Sequence, residues 1–483
     1  METKNYVCYE DFGAVGDGVT DDMPAIVRAH EYANEKGLPV ITKPDATYYI
    51  GGKNITAVIK TNVNFGTSKF IIDDRQLENV KNIVFSVQSD NQIYTTEITS
   101  LKAGQKKIDF PHEGLTFLRV FNDNHKIFIR KGLNQNAGTP ISDCILVDGE
   151  GNVLTSIDWD YEVITKQYAR KVDENELVIE GGIFTTIANQ WERVYNYHNR
   201  NIDIKRSKVT IKGLTHYIEG EGDTGAPYSG FLNSGETVDL TIIDCLLTPH
   251  KTYQTKDSVP GRVNCMGTYD LGFGATINTR LINVKQTRDI MDSAYWGLMG
   301  SNFCKQMLLE RCDMSRFDAH CGVSDATIRG CRLGHQCLNL IGFGNFLIED
   351  SFALGNAFIN LRSDYGSIWR GNVTIRNCTW KPRSNTSTSV FHANNTQDHD
   401  FGYTCYMPIN IVIDGLTVQD SEVNDGVPLY ILPDFDPEHE KGKPYPYVTT
   451  KTLTYSGIVS EKGREPVVCK NEAQYEGIEV VAK

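Results

Sequence analysis

Apolar and polar positions along the chain repeat as a five-residue unit: variable, aliphatic, variable, turn-forming, then small or apolar. The copies are Thr210-Ile211-Lys212-Gly213-Leu214, Thr241-Ile242-Ile243-Asp244-Cys245, Arg280-Leu281-Ile282-Asn283-Val284 and Leu308-Leu309-Glu310-Arg311-Cys312. They continue as Thr327-Ile328-Arg329-Gly330-Cys331, Leu347-Ile348-Glu349-Asp350-Ser351, Thr374-Ile375-Arg376-Asn377-Cys378 and Val412-Ile413-Asp414-Gly415-Leu416. Steps between copies run from 19 to 39 residues and average about 29. The second position is always Ile or Leu, as an inward strand residue requires. The fourth is Gly, Asp or Asn in all copies but one, the residues that tolerate a left-handed backbone. The fifth is small or apolar, so the chain points inward again after a bend. Strand, sharp corner and return to the core make one rung of a parallel β-helix, an all-β solenoid that lengthens by adding coils. Leu177-Val178-Ile179-Glu180-Gly181-Gly182 adds a rung upstream.

This pattern places the main β-helix, with the functional site, at 173–432. The N-terminal cap and first coils occupy 1–89. Between them, 90–172 reads as an inserted β-domain of ordinary strands (Ile93–Thr99, Thr116–Phe121, Lys126–Arg130, Cys144–Val147, Tyr161–Ile164) joined by polar turns, beside the first coils. The last segment, 433–483, is a Pro- and charge-rich loop followed by closing strands. The rung also accounts for Cys245, Cys312, Cys331 and Cys378 as buried, stacked thiols, since free Cys packs as a small hydrophobe. No CxxC pair occurs, so neither zinc nor an iron–sulfur cluster is expected.

Charge narrows the function. The 483 residues carry 61 acidic against 48 basic side chains, a net −13. Such a surface repels nucleic acid and anionic lipid, but it does not exclude an acidic polysaccharide, because a local Arg/Lys cleft can override the mean field. A homo-oligomer is compatible with this composition. No apolar run approaches the roughly 18 residues that span a bilayer, and the first residues lack an apolar signal core. The protein is expected to be cytoplasmic if full length, and secreted or periplasmic if a leader has been removed. No cofactor or metal is expected; Asp434, Asp436 and Glu438 are the weakly supported candidates for calcium, without the fuller EF-hand spacing.

Residues 11–22, Asp-Phe-Gly-Ala-Val-Gly-Asp-Gly-Val-Thr-Asp-Asp, put three close glycines before a helix with Thr20-Asp21-Asp22 as N-cap and Pro24 in its first turn. The helix should run to about Glu35, stop at Gly37, and cover the open first coil. This segment closely resembles the N-terminal motif of the pectin-lyase-like superfamily, which includes polygalacturonase-related proteins and many phage tailspikes. The resemblance implies a right-handed parallel β-helix and, usually, glycoside hydrolysis or polysaccharide elimination. The polygalacturonase catalytic set is missing: Asp-Asp occurs only at Asp21-Asp22 and Asp73-Asp74, and Gly-His-Gly is echoed only by Gly334-His335-Gln336. No catalytic residue is therefore carried over.

Stacking locates the candidate chemistry. Residues at equal offsets from the rung Ile or Leu lie near one another on coils about 4.8 Å apart. Offsets of seven to eleven hold His250; Asp289 and Asp292; Arg316, Asp318 and His320; and His335, Gln336 and Asn339. Asn356, Arg362 and Asp364 follow, with Tyr295 and Trp296 beside the patch. The two shortest steps fall in this stretch and should leave a groove in which sugars stack on aromatics. The leading expectation is a glycoside hydrolase with Asp289 and Asp318 as paired carboxylates. Asp292, Asp364, His320 and His335 are further catalytic candidates. His250, Tyr295, Trp296, Arg316, Gln336, Asn339, Asn356 and Arg362 would bind substrate. A lyase using His with Arg, or a non-catalytic glycan-binding tailspike or adhesin, is the alternative.

Overall fold

The computed structural model describes all residues except 1–4, 131–134, 195, 255–264, 363–367, 395–404 and 436–446. They form two units, one of residues 1–91, 173–273 and 280–300, the other of 92–172, 274–279 and 301–483.

Both units are wound from the expected rung. In the first, Val63, Ile179, Ile211 and Ile242 stand in parallel register on successive coils. In the second, the register runs from Leu309 through Ile328, Ile348, Ile375 and Ile413 to Tyr455. That last rung escapes the sequence pattern because Tyr455 stands where the other copies have Ile or Leu. The turn position is left-handed in all eight copies, with φ from 45° at Asn377 to 86° at Gly415. Arg311 adopts it too, at 53°, although it lacks the usual residue type. Stacking of coils therefore imposes the corner even where local preference opposes it by about 1–2 kcal/mol. Corner side chains bond to the next corner within each unit, Asn283 Nδ2 to Asp244 Oδ1 at 2.7 Å and Asn377 Nδ2 to Asp350 Oδ1 at 2.6 Å.

After the corner, Cys312, Cys331, Ser351, Cys378 and Leu416 succeed one another inside the second unit, and the Cys312 N–H points at Cys331 Sγ, 3.3 Å away. Cys245 holds the equivalent buried place in the first. Cys245, Cys312, Cys331 and Cys378 are all free thiols.

The N-terminal helix spans Met23–Lys36 and ends at Gly37 in a left-handed cap. Its N-cap Asp22 makes no side-chain bond to the helix. Its carboxylate instead accepts the N–H groups of Val15 (2.6 Å) and Gly16 (3.1 Å), so it ties down the glycine-rich loop that precedes the helix. Behind the helix, Phe70 stacks on Phe184 (4.5 Å, 11°) in the core of the first coils.

Between residues 92 and 172 the hydrogen bonding becomes antiparallel, with Ile93–Tyr94, Thr116–Arg130, Gln135–Val147 and Lys166–Lys171 forming one sheet. Where the sequence suggested a neighbour of the first coils, its apolar core is shared with Cys321, Ile341 and Ile368 of later ones. Lys305 fixes that contact: its ammonium lies 2.5 Å from Asp143 and 3.0 Å from Asp158, all three buried. Ser324 also donates to Asp158 (2.6 Å).

Candidate functional site

In the second unit the rungs alternate with a second parallel sheet, whose register lines up one row of core residues and one row of polar residues. Phe317, Leu338, Ile359 and Phe391 point inward and are fully or nearly fully buried. Their neighbours Asp318, Asn339, Asn360 and His392 take the opposite face and stand in register on four successive coils. Exposure increases along the column, from none at Asp318 to an exposed His392. Asn360 Nδ2 donates to Asn339 Oδ1 at 2.8 Å. Asp318 is compensated twice, by Arg316 and by Arg362, whose Nη1 lies 3.0 Å from Oδ1. Arg316 also donates to Gln336. Arg316 and Gln336 sit in the turns of the two shortest steps.

The structure thus brings Arg316, Asp318, Gln336, Asn339 and Arg362 together. Other expected residues have different surroundings. His335 is buried, and its carbonyl accepts from Arg383 at 2.7 Å. His320 is half-buried, with Nδ1 2.9 Å from Asn302 Oδ1 and 3.3 Å from Cys321 Sγ. Asn356 is exposed just before the strand Ala357–Leu361. Asp364 lies outside the described residues, as do Asp436 and Glu438; Asp434 is engaged by Lys470 (3.0 Å) and Gln474 (2.9 Å).

Asp289 and Asp292 belong to the first unit, on an exposed loop, and each accepts the N–H two residues further on, Met291 at 3.0 Å and Ala294 at 2.9 Å. These are turn-capping carboxylates, and Asp289 and Asp318 fall in different units. Asp318 itself is enclosed by the Arg316 and Arg362 guanidinium groups. Tyr295 is covered by the Arg288 guanidinium, 4.9 Å from its ring centre. It also pairs with Lys251 across a short antiparallel bridge. Trp296 packs its indole edge against Gly267, where a Cβ would come within 2.8 Å of Nε1.

His250 leads to a network that sequence reasoning missed. It lies between two carboxylates, Nε2 3.1 Å from Asp270 Oδ1 and Nδ1 2.9 Å from Glu221 Oε1. Asp270 also meets His216 Nδ1 (2.7 Å) and the Thr248 N–H (2.8 Å), and Tyr253 donates to Glu221 (2.8 Å). Burial alone would discharge His250, but Glu221 and Asp270 outweigh it and raise its pKa to about 10. Burial likewise opposes ionisation of Asp270, yet His216 and His250 bring it down to about 2. Glu221 is lowered for the same reason, chiefly by His250 against its burial. The signal available in sequence was His216, which falls on an inward position of the strand Thr215–Glu219 and stacks on Phe231 at 3.7 Å. Among the described residues, no group of His, Cys, Asp and Glu is arranged to hold a metal ion.

No protein-family model matches the sequence, and no curated protein matches it either. Solved structures do. The tailspike of Pseudomonas phage phi297 superposes with a TM-score of 0.56 at 10% identity, covering 99% of this chain and 84% of that one. The tailspike of Acinetobacter baumannii bacteriophage AP22, solved with capsular saccharide, gives 0.53 at 8% identity, covering 98% and 79%. The stacked rungs, the left-handed corners and these two likenesses together establish that the chain has the pectin-lyase-like fold, a right-handed parallel β-helix.

Proposed function

We propose that this chain is a carbohydrate-engaging β-helix that holds a glycan along the polar column of its second unit. One observation carries the reading: Asp318, Asn339, Asn360 and His392 stand on four consecutive coils, flanked by Arg316, Gln336 and Arg362. A glycan offers hydroxyl groups at regular intervals. A column repeating about every 4.8 Å offers amide, imidazole and guanidinium partners at regular intervals too. The Acinetobacter phage tailspike was solved with capsular saccharide, which makes cell-surface polysaccharides the first probes to try.

Hydrolysis is the second reading, and Glu221 favours it. Its side chain is only 8% exposed, paired with His250 and oriented by Tyr253, an ionised carboxylate of the kind that serves as base or nucleophile in glycoside cleavage.

A polysaccharide panel with calorimetry and product analysis tests both readings. Binding by at least one member should weaken tenfold or more in Arg362→Ala and Asn360→Ala. New reducing ends that disappear in Glu221→Gln support hydrolysis, and ultraviolet-absorbing unsaturated ends would replace it with elimination. Absence of binding across the panel, or binding indifferent to both column variants, overturns the proposal.

A further inference from the structure

The first unit carries a different feature with sugar chemistry. Of its large apolar side chains, Trp191 is 45% exposed, whereas Trp369 and Trp380 elsewhere in the chain are fully buried. An indole left in water forfeits the gain of burying a large apolar ring, so its surroundings matter. Trp191 lies on the loop after the strand Leu177–Ile187, and that loop is stitched to the loop of the next coil. The buried Asn189 accepts from Ala226 N (2.8 Å) and donates to Ala226 O (2.9 Å), while its own N–H donates to Tyr228 (2.8 Å). Trp191 N–H donates to Asn189 Oδ1 (3.3 Å), and Trp191 O accepts from Gly225 (2.7 Å). One edge of the indole meets the buried His198 ring at 5.8 Å and 76°. The exposed ring is therefore fixed before any ligand arrives, which removes most of the ordering cost of binding.

The loops that carry it also carry hydrogen-bonding groups. Gln190 Oε1 accepts from the Thr224 hydroxyl (2.9 Å), and Gln190 Nε2 donates to Gly220 O (3.0 Å). Lys251, from the loop of a third coil, donates to Thr224 O (3.2 Å). Its ammonium also senses the charges of Glu221, Arg193 and Asp223. A rigid aromatic face on loops that also carry amide, hydroxyl and ammonium groups suits a pyranose ring, whose C–H face stacks on an indole while its edge hydroxyls seek donors and acceptors.

We infer that Trp191 is the platform of a second carbohydrate subsite, built in the first unit on the loops of three successive coils and separate from the polar column of the second. The inference rests on the reading of the chain as a carbohydrate binder. Its test is calorimetric titration of the full chain with gluco-, galacto-, mannurono- and N-acetylglucosamine oligosaccharides, comparing wild type with Trp191→Ala and Trp191→Phe. The melting temperature of each variant serves as the folding control. The subsite predicts that Trp191→Ala loses at least tenfold in affinity for a bound oligosaccharide, that Trp191→Phe loses less than threefold, and that both melt as wild type does. Quenching of wild-type tryptophan emission should accompany binding. Oligosaccharide binding that is equal in wild type and Trp191→Ala overturns the subsite alone. No binding in wild type overturns it together with the reading of the chain as a carbohydrate binder.

Discussion

Replacing Asp270 with Asn probes the buried network of the first unit. The carboxylate receives three donors, His216 Nδ1, His250 Nε2 and the Thr248 N–H, all within 3.1 Å. An asparagine keeps one acceptor oxygen and turns two donor hydrogens toward groups that are themselves donors. His250 then keeps Glu221 as its carboxylate partner in the network, and a fully buried charge pair is broken. Breaking such a pair costs about 3–5 kcal/mol, a large share of a typical folding free energy. Urea denaturation followed by circular dichroism reads the loss directly. The pH profile gives an independent check of sign. Asp270 is depressed from its usual 3.8 to about 2, so its contribution is present above 3.8 and is lost as the pH falls toward 2. His250 is raised from 6.5 to about 10, so its contribution is complete below 6.5 and is lost as the pH rises through 10. Wild type should be most stable between those windows, and Asp270→Asn should flatten both flanks. A loss under about 1 kcal/mol, or a wild-type pH profile in the variant, would refute the argument that these charges hold one another in place.

Thiol titration of native protein should label the exposed Cys265 quickly and leave Cys245, Cys312, Cys331 and Cys378 silent until denaturant is added; rapid labelling of all four would break the rung register. Burial raises the Cys245 and Cys378 thiols to about 12 and about 11, which reinforces their inertness. Lys305→Ala leaves Asp143 and Asp158 buried without their cation, and limited proteolysis at neutral pH should then cut between residues 92 and 172 far faster than in wild type. Gly181→Ala places a Cβ 2.5 Å from Gly66 O at a φ of +74°, and its melting temperature should fall in line with a cost of about 1–3 kcal/mol.

The coils were legible because their cause is local and repeated. An aliphatic residue two places before a left-handed corner is required at every turn, so Ile211 and Ile413 carry the same signature 202 residues apart. Where the corner is enforced by neighbouring coils, as at Arg311, or the inward residue is aromatic, as at Tyr455, the signature fades. The polar column was half legible. Asp318 and Asn339 stand nine and eleven residues after their rung residues, within the range searched, but Asn360 and His392 stand twelve and seventeen after theirs. Turns lengthen from coil to coil while the strands remain in register, so a fixed offset loses the column. The His216–Asp270–His250–Glu221 network was not legible as a unit, since its members come from separate loops and one inward strand position with no common spacing. Asp289 and Asp292 have the offsets and the chemistry that were searched for, and each also caps its own turn.

The central claim is that a glycan lies along a column of polar side chains on four successive coils. Asp318 is fully buried at one end, so the members a ligand can reach, Asn339, Asn360 and His392, span two strand spacings, about 10 Å. Affinity measured by calorimetry against oligosaccharides of increasing length should therefore climb until the ligand reaches that span and then level off. In Asn360→Ala the climb should stop short. Affinity that does not change with length from the disaccharide upward, or a length dependence untouched by Asn360→Ala, would contradict the account.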